Sequence, residues 1–427
     1  MTDLLHLERP LAAHIRIDQT MVARSRLPAG FRSDEELGLV LPRGMTGTRL
    51  YSNPFGGLYE TRCTVTPNGD FLLMFPDSLA NTNRVGPNGH YGGQMIKVNR
   101  MLALRSQDRG QSWSAPFVPF DQEFNQHGFV PLIPRGTRSL YCFGTQPRFD
   151  RFNGVENAAI GFRRSEDDGH TWSEVHYIDP VDDPGFQGMS VQRMTETARG
   201  TWLISAHTGT KWFPHSDGWP TTSTRQYLLR SADRGATWTV RPRPRPDGWF
   251  VAASGRMDEM RPISLGGDEI YAQARTTTGR IWQTRSLDDG LTWSEPEPSV
   301  LVHPDAPPML FMAEDGETLL AFHHNSHTGS HFNRSAMTDR AQLWLSASRD
   351  GGRTWSEPRF VLANALEEDP RNEGNAWRDH QCSYIDVLAV DGVLHLFIPH
   401  RWQHAVHLQL PYRDFASLPT AAQLARS

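Results

Sequence analysis

The chain has 427 residues, and its 43 Lys and Arg against 48 Asp and Glu leave a formal net charge of −5 with no long run of either sign. That balance weighs against nucleic acid or an anionic membrane as partner, and no apolar stretch reaches the length of a spanning helix. The three cysteines, Cys63, Cys142 and Cys382, are odd in number and far apart, so no disulfide framework is implied. Met1 to Pro10 carries no basic segment followed by an apolar core, so it does not read as a signal peptide. A cytoplasmic location is therefore expected, although a chain trimmed of its leader would read the same.

Taken in order, the elements are short apolar strands separated by turns. An N-terminal segment, His14 to Asp18 or Gly38 to Leu41, is expected to pair into the last unit. Six units follow, opening at Tyr59, His127, Met189, Glu259, Pro307 and Tyr384. Each has an apolar strand, a turn that usually contains Gly, and a second apolar strand. In the first five, a third strand ends at one recurring motif, Ser-x-Asp-x-Gly-x-Thr/Ser-Trp. It begins at Ser106, Ser165, Ser231, Ser286 and Ser348 and ends at Trp113, Trp172, Trp238, Trp293 and Trp355. A turn recurring at a blade-like period is the mark of a repeat architecture. The mechanical reading is a staple. The Asp carboxylate accepts bonds from its own loop, Gly takes a backbone angle closed to other residues, and Trp drops its ring onto the sheet. The clearest helix-like stretch is the short C-terminal run from Phe415 to Arg426.

The motif resembles the Asp box of the sialidase and BNR-repeat proteins, across roughly residues 100 to 360. The resemblance implies an all-β, six-bladed β-propeller of four-stranded antiparallel blades, with the boxes joining third and fourth strands away from the active site. The whole chain, 1–427, is then one domain: an N-terminal extension over 1–50 that supplies a ring-closing strand, blades over 51–412, and a tail over 413–427. The strand starts gather at the mouth of a central funnel, where ionisable groups are candidate chemistry.

The resemblance also implies a mechanism and its residues. In retaining sialidases a Tyr activated by a Glu attacks the anomeric carbon, an Asp serves as acid and base, and three Arg hold the substrate carboxylate. A phenol that titrates near pH 10 needs such a base. The run from Glu259 to Arg275 resembles the family run from the catalytic Glu to the second Arg. Arg340, eight residues before the motif serine Ser348, resembles the third Arg, and Tyr384 the nucleophile. The first Arg has no clear match. Counting back from the turn Gly69 lands on Tyr59, and Arg62 lies nearby at an offset that points to the other face of a regular strand. Asp77 is the one carboxylate in the loop over 76–92 where the acid is expected. His90 and His127 are further catalytic candidates, and Trp212 in a long aromatic insertion suits stacking on a sugar.

The run His323-His324-Asn-Ser-His327-Thr-Gly-Ser-His331 does not have zinc-ligand spacing and reads as a polar loop at the funnel rim, so no metal or other cofactor is expected. The function expected is sialidase-like exo-hydrolysis of an acidic sugar from an oligosaccharide, because an Arg pair reads a carboxylate bidentately. A propeller lyase acting on a uronate with His and Tyr is the alternative, and a non-catalytic glycan-binding propeller the third reading.

Overall fold

Short runs rich in β-branched, aromatic and leucine residues, each closed by a turn, pair with their chain neighbours into antiparallel sheets. The computed structural model describes residues 27–53, 57–78, 99–120, 130–146, 157–189, 191–214, 220–327, 339–365 and 382–425. The fold class is the six-bladed β-propeller, nearly all β. The first sheet holds Arg62–Val65, Phe71–Ser78 and Asn99–Ser106, and a two-bond bridge from Ala103 to Phe117 takes the fourth position. The second runs Val130–Leu132, Leu140–Gln146, Ala159–Ser165 and His176–Tyr177. The third is Met194–Glu196, Trp202–Pro214, Pro220–Ser231 and Thr239–Arg241, and the fourth Asp258–Gly266, Glu269–Arg275, Arg280–Ser286 and Glu297–Val302.

The fifth sheet has its four blade strands, Met309–Met312, Leu319–His323, Gln342–Ser348 and Arg359–Asn364. Leu39–Pro42 and Phe31–Asp34 extend it to six. The sixth is Asp386–Val390, Val393–His400, His404–Pro411 and Thr46–Ser52. The N-terminal segment that completes the last sheet is thus Thr46–Ser52. Gly38 to Leu41 instead pairs with the fifth sheet through Leu39 and Val40, and His14 to Asp18 lies outside the described residues. Leu39, Val40 and Leu41 are fully buried, whereas Thr46–Ser52 is half exposed and polar. An apolar run was therefore a poor guide to which segment takes the edge position. The C-terminal run forms a 3-10 turn, Tyr412–Ser417, and a helix, Ala421–Ala425.

All five motifs make the same bonds around a buried serine. In the second, Ser165 Oγ accepts from Gly169 N at 2.8 Å and donates to Asp167 Oδ1 at 2.8 Å. Asp167 then accepts from Thr171 N at 2.8 Å and Thr171 Oγ1 at 2.6 Å. Those threonine bonds hold the Asp167 carboxyl down to about 2. Gly169 has φ +83, and a Cβ there would stand 2.7 Å from Leu72 Cδ2, so no other residue fits. The residue before this glycine is also left-handed, at φ 59, 61, 55 and 61 for Arg109, Asp168, Arg234 and Asp289.

Two of these variable positions latch neighbouring sheets. Asp168 Oδ1 accepts from Asn68 N at 2.9 Å. Asp289, 3 % exposed, receives Arg230 Nη2 at 2.9 Å and the hydroxyls of Thr197 and Thr201.

The chain divides into two compact units, one of 53–275 with 282–297 and one of 1–52 with 276–281 and 298–427. In the first, Phe143, Trp202, Tyr227 and Trp238 anchor one apolar layer, and Trp249, Met257, Met260 and Ala272 another. In the second, a larger cluster runs from Phe31 and Leu39 through Trp344 and Phe360 to Leu408 and Phe415. Replacing Asp289 with Ala strands Arg230 and two hydroxyls in the interior, so Asp289→Ala is expected to cost about 3–5 kcal/mol. Asp268→Ala removes only an exposed pair with Arg199 and is expected to cost about 0–1 kcal/mol. Urea unfolding of the two variants checks this; equal midpoints would show that the latch has no special weight.

Candidate active site

In the unit containing 53–275, the ladder of the fourth sheet is interrupted where it begins. Asp258 pairs with Arg275 and Arg261 with Gln273, so one extra residue is inserted between them. Such bulges re-aim side chains. Glu259 sits in this bulge with φ 48, a conformation that costs a non-glycine residue of the order of 1–3 kcal/mol. Its amide donates to His207 Nδ1 at 3.4 Å, and its Oε2 accepts from Arg275 Nη1 at 2.7 Å. Both side chains are buried, at 4 % and 3 % exposure. The sixteen-residue separation read from the sequence is therefore a hairpin that returns Arg275 to Glu259.

Arg256 and Arg261 were readable from the sequence as charged neighbours of Glu259, but Asp258 was not. Asp258 is fully buried and accepts from Arg256 Nε at 2.8 Å and Thr224 Oγ1 at 2.7 Å. Arg261 is 1 % exposed. At this end of the fourth sheet three buried arginines, Arg256, Arg261 and Arg275, stand against two buried carboxylates, Asp258 and Glu259. Guanidinium forks suit a carboxylate ligand.

The first sheet opens on a second buried charge group. Arg62 Nη2 donates to Glu60 Oε2 at 2.6 Å and Gln192 Oε1 at 3.1 Å, and Gln192 Nε2 closes the triangle on Glu60 Oε1 at 2.7 Å. Arg62 Nε is buried without a hydrogen-bond partner. Glu60 lies two residues before Arg62, just ahead of the strand, and Tyr59 is buried beside it in sequence. Asp77, fully buried, accepts from Arg100 Nε at 2.9 Å and from Asn53 Nδ2. Arg100 is its cross-strand partner in the register. Both carboxylate oxygens of Asp77 are thus engaged.

In the other unit, Arg340 and Tyr384 come together. The Arg340 guanidinium carbon lies 5.9 Å from the centre of the Tyr384 ring, and Arg340 Nη2 also donates to the Asp305 carbonyl. Tyr384 is 5 % exposed with φ 61, and its ring meets Trp402 edge-on at 6.4 Å. Two buried histidines, His303 and His324, feel the charge of Arg340, and His323 is buried next to His324 in sequence. His303 and His324 stack at 5.1 Å, and His324 Nδ1 is 2.6 Å from the Gln342 carbonyl. His323 bridges the Val302 carbonyl and Ser346 Oγ, each at 3.1 Å. His323 and His324 are therefore core residues, not part of a polar rim loop. Burial lowers His323 to about 4 and His324 to about 3, and lowers His303 as well.

His90 and His127 lie outside the described residues. Trp212 is in the paired strand Trp202–Pro214, opposite Thr222, and its side chain lies outside the described residues. Glu60, Gln192, His207 and Asp258 are the polar residues that sequence reading missed. The signal available was position: Glu60 and Asp258 each adjoin a strand start that the sequence analysis had marked.

The profile of a family described as "BNR repeat-like domain" matches residues 130–396. The chain is 27% identical over 242 residues to a Paenibacillus xyloglucanase, across 52% of this chain and 21% of that protein. It thus spans about a fifth of the length of that curated relative. Among solved structures it resembles a Dyadobacter fermentans protein of unknown function, with TM-score 0.57, 15% identity, and 86% and 98% of the two chains covered. It also resembles the Hadza microbial sialidase Hz136, with TM-score 0.57, 17% identity and coverage of 87% and 69%. A Trypanosoma rangeli sialidase in complex with 2,3-difluorosialic acid gives TM-score 0.56, 13% identity and coverage of 87% and 59%.

The buried histidines carry a pH prediction. They are neutral in the fold and bind protons near pH 6.5 once unfolded. Their contribution to stability is complete above about pH 6.5 and is lost as pH falls toward 4, by up to ~1.4 kcal/mol per pH unit for each. Melting temperature measured from pH 8 to 4 is expected to be level above neutrality and to fall below it. His323→Gln should flatten that slope, and an unchanged slope would reject the assignment.

Proposed function

We propose that this chain, which belongs to the BNR repeat-like family, is a glycoside hydrolase that removes a terminal acidic sugar, sialic acid or a relative, from an oligosaccharide. One observation carries the reading. The two residues expected at the reacting centre, Glu259 and Tyr384, both hold left-handed backbone in a buried setting, and each adjoins a buried arginine. Backbone strain at a buried ionisable group is retained where function needs it. The propeller fold shared with sialidases agrees with the reading.

In the reaction proposed, the Tyr384 phenol attacks the anomeric carbon and gives up its proton to a carboxylate base, the role proposed for Glu259. The glycosidic bond breaks as the sugar transfers to Tyr384 Oη. The departing oxygen takes a proton from Asp77, which can give one only after it has released Arg100 and taken up a proton from solvent. Water then cleaves the glycosyl–tyrosine bond, returning one proton to Asp77 and restoring Tyr384 from Glu259. Arg275 and Arg340 are the proposed ligands of the sugar carboxylate, because a planar guanidinium fork matches a carboxylate. Hydrolysis of a neutral glucan is the second reading, favoured by the similarity to a xyloglucanase.

Tyr384→Phe keeps the ring and removes the attacking oxygen, so turnover of a sialyl or uronyl aryl glycoside is expected to fall by about 100-fold or more at unchanged melting temperature. A 2,3-difluoro acidic sugar should leave a covalent adduct on Tyr384 by mass spectrometry. Adduct on another residue, or activity on xyloglucan aryl glycosides alone, would replace the proposal with the second reading.

Arg275→Lys and Arg340→Lys test the carboxylate separately. A point charge replaces a planar fork, so each should weaken acidic substrates by about 1.5–3 kcal/mol and leave uncharged analogues nearly unaffected. Equal losses on both, read from kcat/KM, would reject the assignment.

A further inference from the structure

A cleft of about 600 Å³ lies within the unit of 53–275 and 282–297, and neither Glu259, Arg275 nor Arg62 lines it. Its walls are the third strand of the fourth sheet, the segment after Thr239–Arg241, and the end of the fourth turn motif with the residues that follow it up to Pro296. Four aromatic residues line it, Trp249, Phe250, Trp282 and Trp293. Phe250 is 36 % exposed, yet its ring is held, because the Arg225 guanidinium carbon lies 4.7 Å from its centre and Arg225 Nη1 donates to the Gly248 carbonyl at 3.2 Å. Trp293 is fixed by its Nε1 bond to the Gly290 carbonyl at 3.1 Å and by an edge contact with Trp249 at 5.7 Å.

The cleft is also lined by Arg243, Asp247 and Glu295, all exposed. Among the described residues none of these three side chains has a hydrogen bond or ion pair within the protein. With Arg225 they make two positive and two negative groups, so the cleft has no charge preference. Held aromatic faces accept the C–H face of a pyranose ring. Carboxylates and guanidinium forks accept from and donate to its hydroxyls. Small-molecule sites combine such apolar walls with a few placed polar groups.

We propose that this cleft is a second carbohydrate site that binds a neutral oligosaccharide, stacked on Phe250 and the tryptophans and hydrogen-bonded by Glu295, Asp247 and Arg243. It goes beyond the hydrolytic reading and does not depend on it. A neutral chain held here would retain the protein on a glycan whose terminal sugar is processed elsewhere.

Isothermal titration of the full chain with cellohexaose, mannohexaose and a xyloglucan heptasaccharide tests the site, with hexagalacturonate as the acidic comparison. At least one neutral sugar is expected to bind saturably. Phe250→Ala and Glu295→Ala should each weaken it about tenfold at unchanged melting temperature, while turnover of a small aryl glycoside stays as in wild type. Glu259→Gln, which disables the proposed reaction, should bind the neutral sugar normally. Absence of binding by all three neutral sugars overturns the proposal, as does binding indifferent to Phe250→Ala and Glu295→Ala. Loss of binding in Glu259→Gln would move the sugar to the hydrolytic site, and tighter binding of hexagalacturonate would refute the neutral class.

Discussion

A single buried hydroxyl organises each of the first five blades. The motif serine, no more than 1 % exposed in any copy, accepts from the glycine amide four residues on and donates to the aspartate two residues on. That fixes the carboxylate to receive the threonine or serine amide and hydroxyl. The chain is forced through two successive left-handed residues before it enters the fourth strand. The tryptophan then folds back, and in three copies its indole nitrogen bonds the motif glycine carbonyl at 3.0–3.2 Å. A hydroxyl buried without these partners would lose about 1–3 kcal/mol per copy, so the bonds and the burial support each other.

The site residues obey the opposite rule. Where the turns complete every bond, the start of the fourth sheet breaks its ladder at Asp258 and Arg261 and buries unlike charges there. A buried ion pair is weak support for stability, because desolvating both partners offsets most of their attraction. The left-handed backbone at Glu259 adds strain. Two destabilising features at one residue need a reason outside stability, and binding or chemistry at an anionic group supplies one. Tyr384 repeats the pattern in the other unit, with φ 61 and a buried arginine against its ring.

What the sequence revealed follows the range of the interactions involved. The turn motifs were legible because every bond in them closes within eight residues. Glu259 and Arg275 were picked out by resemblance to a family run of the same length, but the ion pair between them was not read from the sequence. Latches were not: Asp168 and Asp289 occupy a position that varies between copies, and their partners, Asn68, Thr197, Thr201 and Arg230, are distant in sequence. The edge strand Thr46–Ser52 escaped for a related reason, since an edge strand half open to water carries no apolar pattern. Glu60 had its place beside a marked strand start, but Gln192 gave no local sign, because its role lies in a bond to Glu60, 132 residues away.

The fourth sheet shows why stability and chemistry can be separated in this fold. Its second strand pairs Ile270 with Ser286 at one end and reaches Arg275 at the other. Five residues of extended chain place about 17 Å between the motif serine's partner and the charged group. The turn end is closed by short bonds among side chains and backbone, and the Arg275 end holds charges whose arrangement is strained. Changes at one end reach the other only through a paired strand with a fixed register. The same separation lets the segment after the turn, from Leu291 to Pro296, line a cleft of its own while the motif bonds hold its origin in place. A repeat that secures each blade by its turn thus leaves the other strand ends, and the segments that follow the turns, free to carry side chains selected for binding.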